Sequence, residues 1–134
     1  MKSWKEVRDF VLDNYIGSEY DEEKDILAIP FVTNEEHSRT QTVIIIHPEK
    51  DVVGIFSLIG DINKNDLKDA LKDLYEILPI GINMALVCDD DECCQIINQE
   101  YISALTEDKL DSIAKNVSSC ADELEEKYVC EDTF

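Results

Sequence analysis

Cys88, Asp89, Asp90, Asp91, Glu92, Cys93 and Cys94 follow one another without a break. Thiolates bind soft metals and take part in redox exchange, and carboxylates bind hard cations, so this stretch is the first place to look for chemistry. A structural zinc site needs two separated cysteine pairs or added histidines, and neither histidine lies near it. Cys93 and Cys94 are adjacent, so on a strand they point to opposite faces and do not chelate one ion. The acidic run lacks the spaced ligands and central glycine of an EF-hand calcium loop. It reads as a solvated hairpin tip.

Two further cysteines, Cys120 and Cys130, make the count odd. The start, Met1-Lys2-Ser3-Trp4-Lys5-Glu6, has no apolar stretch after its positive charges. Together these predict free thiols in a reducing cytoplasm. A redox or metal protein built on Cys88, Cys93 and Cys94 is the competing reading.

His37 stands beside Glu35 and Glu36, and His47 ends a strand-like run before Pro48. Neither forms a pattern with a nucleophile, and acyl-transfer chemistry needs one. Gly17, Gly54, Gly60 and Gly81 are isolated, so no phosphate-cradling loop is present. Basic residues interleaved with aromatics, the mark of nucleic-acid binding, are missing. The expectation is a non-enzyme with no catalytic residue, cofactor or metal.

The charge points the same way. The 134 residues carry 31 acidic and 12 basic side chains, a net of −19. Such a field repels nucleic acid and anionic membranes and attracts basic partners, or it serves solubility alone. The charge is uneven: Met1–Lys72 nets −6 and Asp73–Phe134 nets −13. A basic partner docking by charge would meet the second half. No run of purely aliphatic residues is longer than the four of Val43 to Ile46, far short of a membrane span.

Hydrophobic periodicity orders these residues into one α+β domain over 1–134, with 130–134 a frayed tail. Ser3 and Glu6 form a capping box, so a helix begins at Trp4, with Val7, Phe10 and Val11 on one face and Gly17 as its stop. Glu19–Asp25 reads as a charged loop. Strands follow at Ile26–Thr33, Thr40–His47 and Val52–Ile59, joined by the polar connection Asn34–Arg39 and the turn Pro48–Asp51. Pro30 cannot donate to a ladder, which marks an edge strand or a bulge. A second helix spans Lys64–Leu78, with Leu67, Ala70, Leu71, Leu74 and Leu78 at helical spacing. Gly81–Cys88 and Cys93–Ile102 form a hairpin. Thr106 caps the last helix, and Leu105 with Leu110 staples the cap. The predicted order is helix, three strands, helix, two strands, helix. Its mostly antiparallel five-stranded sheet is packed by the helices.

In a half-exposed strand, apolar and polar residues alternate. Here Ile44 and Ile46 point one way, and Val43 and Ile45 the other. Phe56 and Leu58 oppose Val53, Ile55 and Ile59 in the same manner. Both faces of the sheet centre are therefore apolar. Either a helix closes the second face within the monomer, or that face buries against a second copy or a client chain. On the second reading, Val43, Ile45, Val53 and Ile55 are the candidate partner contacts. The edge strand Ile26–Thr33, or the last strand, offers β-augmentation. On the second helix Lys64, Lys68 and Lys72 form a basic row beside Asp66, Asp69, Asp73 and Glu76. Such a two-signed face can pair with its own copy across a two-fold axis.

The element order, length and acidity resemble the type III secretion chaperone-like fold. Local sequence is similar to its YbjN-like branch of sensory-transduction regulators. There the second helix ends in a Leu-Pro-x-Gly-like turn, here Leu78-Pro79-Ile80-Gly81 before Ile82-Asn83-Met84-Ala85-Leu86. A Leu-Thr-x-x-x-Leu start to the last helix also matches, here Leu105-Thr106-Glu107-Asp108-Lys109-Leu110. The chaperone resemblance implies a cytoplasmic homodimer that holds an extended segment of a client protein. The YbjN-like branch implies a regulator whose partner is a larger folded protein.

Overall fold

The structure, a computed structural model, describes residues 1–34, 39–79, 81–89 and 93–129. The first helix, α1 (Trp4–Asn14), starts where its cap predicts. The Ser3 hydroxyl accepts from the Glu6 amide, and the Glu6 carboxylate accepts from the Lys2 amide. Four strands follow: β1 (Glu19–Asp21), β2 (Ile26–Asn34), β3 (Arg39–Glu49) and β4 (Val52–Asp61). A 3₁₀ turn over Lys64–Asp66 leads into α2 (Leu67–Ile77). Then come β5 (Ala85–Cys88), β6 (Cys93–Tyr101), a second 3₁₀ turn over Ile102–Ala104, and α3 (Glu107–Tyr128). Thr106 caps α3, its hydroxyl accepting from the Lys109 amide. The class is α+β, with one antiparallel sheet in the order β1-β2-β3-β4-β6-β5.

The sheet has six strands rather than five. The additional one, β1, comes from the stretch read as a charged loop. Gly17 (φ 82) turns the chain out of α1, and Asp25 (φ 56) closes the β1–β2 hairpin in the left-handed region that aspartate tolerates. The Asp25 carboxylate accepts from the Trp4 indole N–H at 2.9 Å and from the Tyr20 hydroxyl. Those bonds, Tyr20 first and Trp4 second, hold its carboxyl below the usual carboxylate range. A local hydrogen-bond cluster thus builds a strand that carries almost no apolar signal.

With β1 in place, Ile26–Thr33 is not the sheet edge. β1 pairs β2 only over Ile26–Ala28, however, so Pro30 lies beyond the last paired residue, where its missing N–H breaks no outer ladder. At the opposite edge β5 is shorter than predicted. Residues 81–84 leave the ladder after Gly81 (φ 87), and the Asn98 side-chain amide donates to the Asn83 carbonyl at 2.7 Å. The last strand, β6, lies inside the sheet between β4 and β5, so its predicted role as an edge passes to β5.

The helices gather on one face. α3 lies across β2, β3, β4 and β6. Beneath it Leu27, Ile29, Val43, Ile45, Val53, Ile55 and Ile96 are exposed by no more than 1%. At about 25 cal/mol per Å² of apolar surface removed from water, such a layer dominates the folding free energy. Tyr15, after the end of α1, donates its hydroxyl to the Asp111 carboxylate on α3. α2 packs on α3 through buried Ala70 and Leu74. Arg39 of β3 forms an ion pair with Asp122 of α3 at 3.0 Å. Gln41 sits between β3 and β4 in this layer, its amide donating to the Ser57 hydroxyl at 2.9 Å, so the buried polar pair is satisfied.

Candidate functional site

Residues one step out of phase with the core form the opposite face of the sheet. Register carries one row across five strands. Ala28 pairs with Ile44, Ile44 with Phe56, Phe56 with Ile97, and Ile97 with Ala85. Every member is apolar. None is fully buried: Ala28, Ile44, Phe56 and Ile97 are half-buried, and Ala85 is exposed. Val32 (64%), Leu58 (37%), Val87 (42%) and Tyr101 (64%) widen the patch with more exposed side chains. Among the described residues, the helices leave this face uncovered.

Gly54 shapes the patch on β4. A Cβ there would stand 3.0 Å from Ile46 Cγ1, so the missing side chain lets Ile46 lie flat across the strand. Thr40, Thr42, Ile44 and Leu58 line a shallow depression of about 250 Å³ with Gln41. A second, of about 450 Å³, lies over Met84, Ala85, Val87, Ile97 and Gln99. The face is a broad apolar shelf with two dents.

The two edges of the sheet differ. β1 is three residues long and carries Glu19 and Asp21, so it is short and charged, which discourages strand addition. β5 is Ala85-Leu86-Val87-Cys88 with no charge, and it borders the apolar shelf. Strand addition by another chain is physically favoured at β5.

The residues expected to meet a partner are distributed differently. Val43, Ile45, Val53 and Ile55 are all at 0% exposure, packed under the helices, so they cannot touch another chain in the folded subunit. The side chains of the open face stand one residue along each strand, at Ile44, Ile46, Phe56 and their neighbours. Both sets of side chains are apolar, so alternation alone does not say which set the helices cover. Ile97 has a detectable signal in the sequence, an apolar residue between Gln95 and Gln99. Lys64, Lys68 and Lys72 are exposed as predicted, with Leu71 (41%) and Tyr75 (70%) also exposed on α2. Asp73 is engaged within the subunit: Lys127 of α3 reaches it at 2.6 Å and the Tyr128 hydroxyl donates to it. Those bonds, Lys127 first, hold its carboxyl below the usual range and raise the Lys127 ammonium.

The cysteines give a clear correction. Cys88 and Cys94 are directly opposite in the β5–β6 register, with Cα atoms 4.1 Å apart, and form a disulfide rather than two free thiols. Cys120 is buried in α3. Burial first, and the Glu123 carboxylate second, push its thiol up to about 11, so it is a poor nucleophile. Cys93 is half-buried and lies outside the disulfide. His47 stacks on Trp4 with ring centroids 5.0 Å apart. His37, the tip residues 90–92 and Cys130 lie outside the described residues. Among the described residues no group of three or more His, Cys, Asp or Glu side chains is placed to hold a metal ion, and no helix is long and apolar enough to cross a membrane.

No protein-family model and no curated protein sequence matches this chain. Solved structures do. The chain is similar to the type III secretion chaperone SycH of Yersinia pestis, solved with a stable fragment of YscM2. Identity is 16%, the match covers 91% of this chain and 99% of SycH, and the TM-score is 0.64. It is similar to a chain of the ExsC–ExsE complex at 12% identity, covering 98% and 100% of the two chains, with a TM-score of 0.64. It is also similar to YbjN from E. coli at 11% identity, covering 92% and 88%, with a TM-score of 0.54. The fold is the secretion chaperone-like α+β fold that YbjN shares.

Proposed function

We propose that this chain is a non-enzymatic protein-binding module, chaperone-like, that works as a cytoplasmic homodimer and holds a segment of a partner polypeptide. The observation that carries the reading is the five-strand apolar row Ala28–Ile44–Phe56–Ile97–Ala85, left open by the helices. An exposed apolar patch of this continuity on an otherwise charged surface is the mark of an interaction site. Two structures of the same fold, those of SycH with a fragment of YscM2 and of the ExsC–ExsE complex, hold two proteins together, which supports the same use here.

The partner's chemistry follows from the face and the field. Apolar side chains of an extended segment would settle on the shelf, and its backbone could extend the sheet at β5. Basic residues on the same segment would be drawn by the net charge of −19, which speeds encounter more than it adds affinity. Dimer contact is assigned to the outer face of α2. There Leu71 and Tyr75 supply apolar area, and Lys64, Lys68 and Lys72 face Asp69 and Glu76 of a second copy across a two-fold axis.

Sedimentation velocity over a wide concentration range tests the dimer. Fluorescence anisotropy with a short peptide alternating lysine and leucine tests the shelf. A dimer and salt-sensitive peptide binding are expected. A strict monomer that ignores the peptide overturns the reading. A monomer or dimer that binds only a folded protein favours the regulatory, YbjN-like alternative.

A further inference from the structure

We propose that the Cys88–Cys94 disulfide is a redox latch on edge strand β5, and that its reduction releases β5 locally while the rest of the sheet stays folded. The inference goes beyond the binding role and holds whether or not a client docks on the shelf.

The bond's position is the first argument. It joins two strands that are already hairpin neighbours, with only six residues of sequence separation. A cross-link that closes so short a loop removes less entropy from the unfolded chain than one that closes a long loop. The core runs from Trp4 to Leu124 and takes in Cys94, while no residue of β5 belongs to it and Leu86 and Cys88 only pack against it. The bond therefore acts locally, on the strand it clasps.

The second argument is how little else holds that strand. β5 has four residues and, among the described residues, a neighbouring strand on one side only. Ala85 and Val87 face solvent, leaving Leu86 and Cys88 to anchor it on the core side. Before it, Gly81 sits at φ 87 with open space where a Cβ would stand. A short edge strand with few buried contacts belongs to the least protected part of a fold. Detached, it would uncover the β6 backbone from Cys94 to Ile97, which now pairs with β5.

The exchange needs an external dithiol, small or proteinaceous. Its thiolate attacks Cys88 Sγ, the more exposed of the two sulfurs by residue burial. The Cys88–Cys94 bond breaks, a mixed disulfide forms on Cys88, and the Cys94 thiolate leaves and takes up a proton. The second thiol of the reductant then attacks the mixed disulfide and releases Cys88, which is protonated in turn. Two electrons pass to the protein, and the dithiol becomes a cyclic disulfide. Cys93 projects to the other face of β6 from Cys94, so it is not the resolving thiol.

Non-reducing peptide mapping of the full chain, with and without dithiothreitol, is paired with hydrogen exchange read by mass spectrometry. The mapping should find Cys88 joined to Cys94 before reduction and separate afterwards. Amides over residues 84–88 should then exchange at least about tenfold faster, while β3, β4 and α3 keep their protection. A Cys88→Ser/Cys94→Ser double variant, folded by circular dichroism, should show the fast pattern under both conditions. Absence of the bond in oxidised protein overturns the latch, as does unchanged β5 exchange after verified reduction. Loss of protection throughout the sheet also overturns it, since the bond would then be a general staple.

Discussion

The two faces of this sheet are built from the same strands and nearly the same residue types, yet one is covered by helices and the other is open. On the helix side, Ile29, Val43, Ser57, Ile96 and Leu86 form one cross-strand row. One residue over, Ala28, Ile44, Phe56, Ile97 and Ala85 form the row that no helix covers. A strand's period of two makes this separation absolute: a side chain belongs to one face or the other. Apolarity alone therefore does not tell the covered face from the open one. What separates them is whether a helix reaches that face.

The sharpest way to break this comparison is a matched pair of truncations. Ile55→Ala on the covered face should destabilise the chain by about 2–5 kcal/mol in urea or thermal denaturation, the usual range for a fully buried side chain. A loss below about 1 kcal/mol would mean that the covered face is not the core. Gly54→Ala tests the contact that flattens the open face. The new Cβ would press on Ile46 at 3.0 Å, and a loss of about 1–3 kcal/mol is expected, with Ile46→Ala in the same chain restoring part of it.

Phe56→Ala on the open face should lower stability by only about 1–2 kcal/mol, because the ring is half-buried to begin with. It should weaken binding of the lysine–leucine peptide at least about tenfold in fluorescence anisotropy, as the loss of a central aromatic anchor does. Equal stability losses for Ile55→Ala and Phe56→Ala would erase the distinction between the faces.

The smallest effect concerns how α1 is tied to the covered face. Tyr15→Phe removes the hydroxyl that donates to Asp111 and should cost about 1 kcal/mol. Its pH signature is more specific. Burial, with the Asp111 carboxylate behind it, raises the Tyr15 phenol well above the ordinary 10.0. Its stabilisation is therefore present below pH 10 and is lost as pH rises through the folded value. Burial pushes the Asp111 carboxyl up, but the bonds from Lys115 and Tyr15 outweigh it and hold the group below 3.8. That contribution is present above 3.8 and is lost as pH falls through the folded value. Tyr15→Phe should flatten the alkaline limb of a stability–pH curve and soften the acid limb. An unchanged curve would show that the bond does not tie α1 down.

Much of this could be read along the chain. Ser3 and Thr106 cap their helices as their types and spacing predict, because a cap is a contact over three residues and needs no tertiary context. The strongest strand, around Val43–Ile46, is where its β-branched run places it. β1 escaped because Glu19-Tyr20-Asp21 has almost no apolar content. Its place depends on Asp25, whose carboxylate reaches back to Trp4 across the turn. The Cys88–Cys94 bond escaped because an odd count of cysteines argues for thiols, while register alone sets these two opposite.

Local chemistry in the chain determined the element types, the helix caps, the acidity and the presence of apolar residues on both sides of the central strands. These depend on neighbours a few positions away, or on composition, and any folded form of the chain would keep them. Which side the helices cover, which strand forms each edge and which cysteines meet were decided only by long-range packing. Each is a choice between near-equivalent local patterns, and only the energy of burying one complete layer separates them.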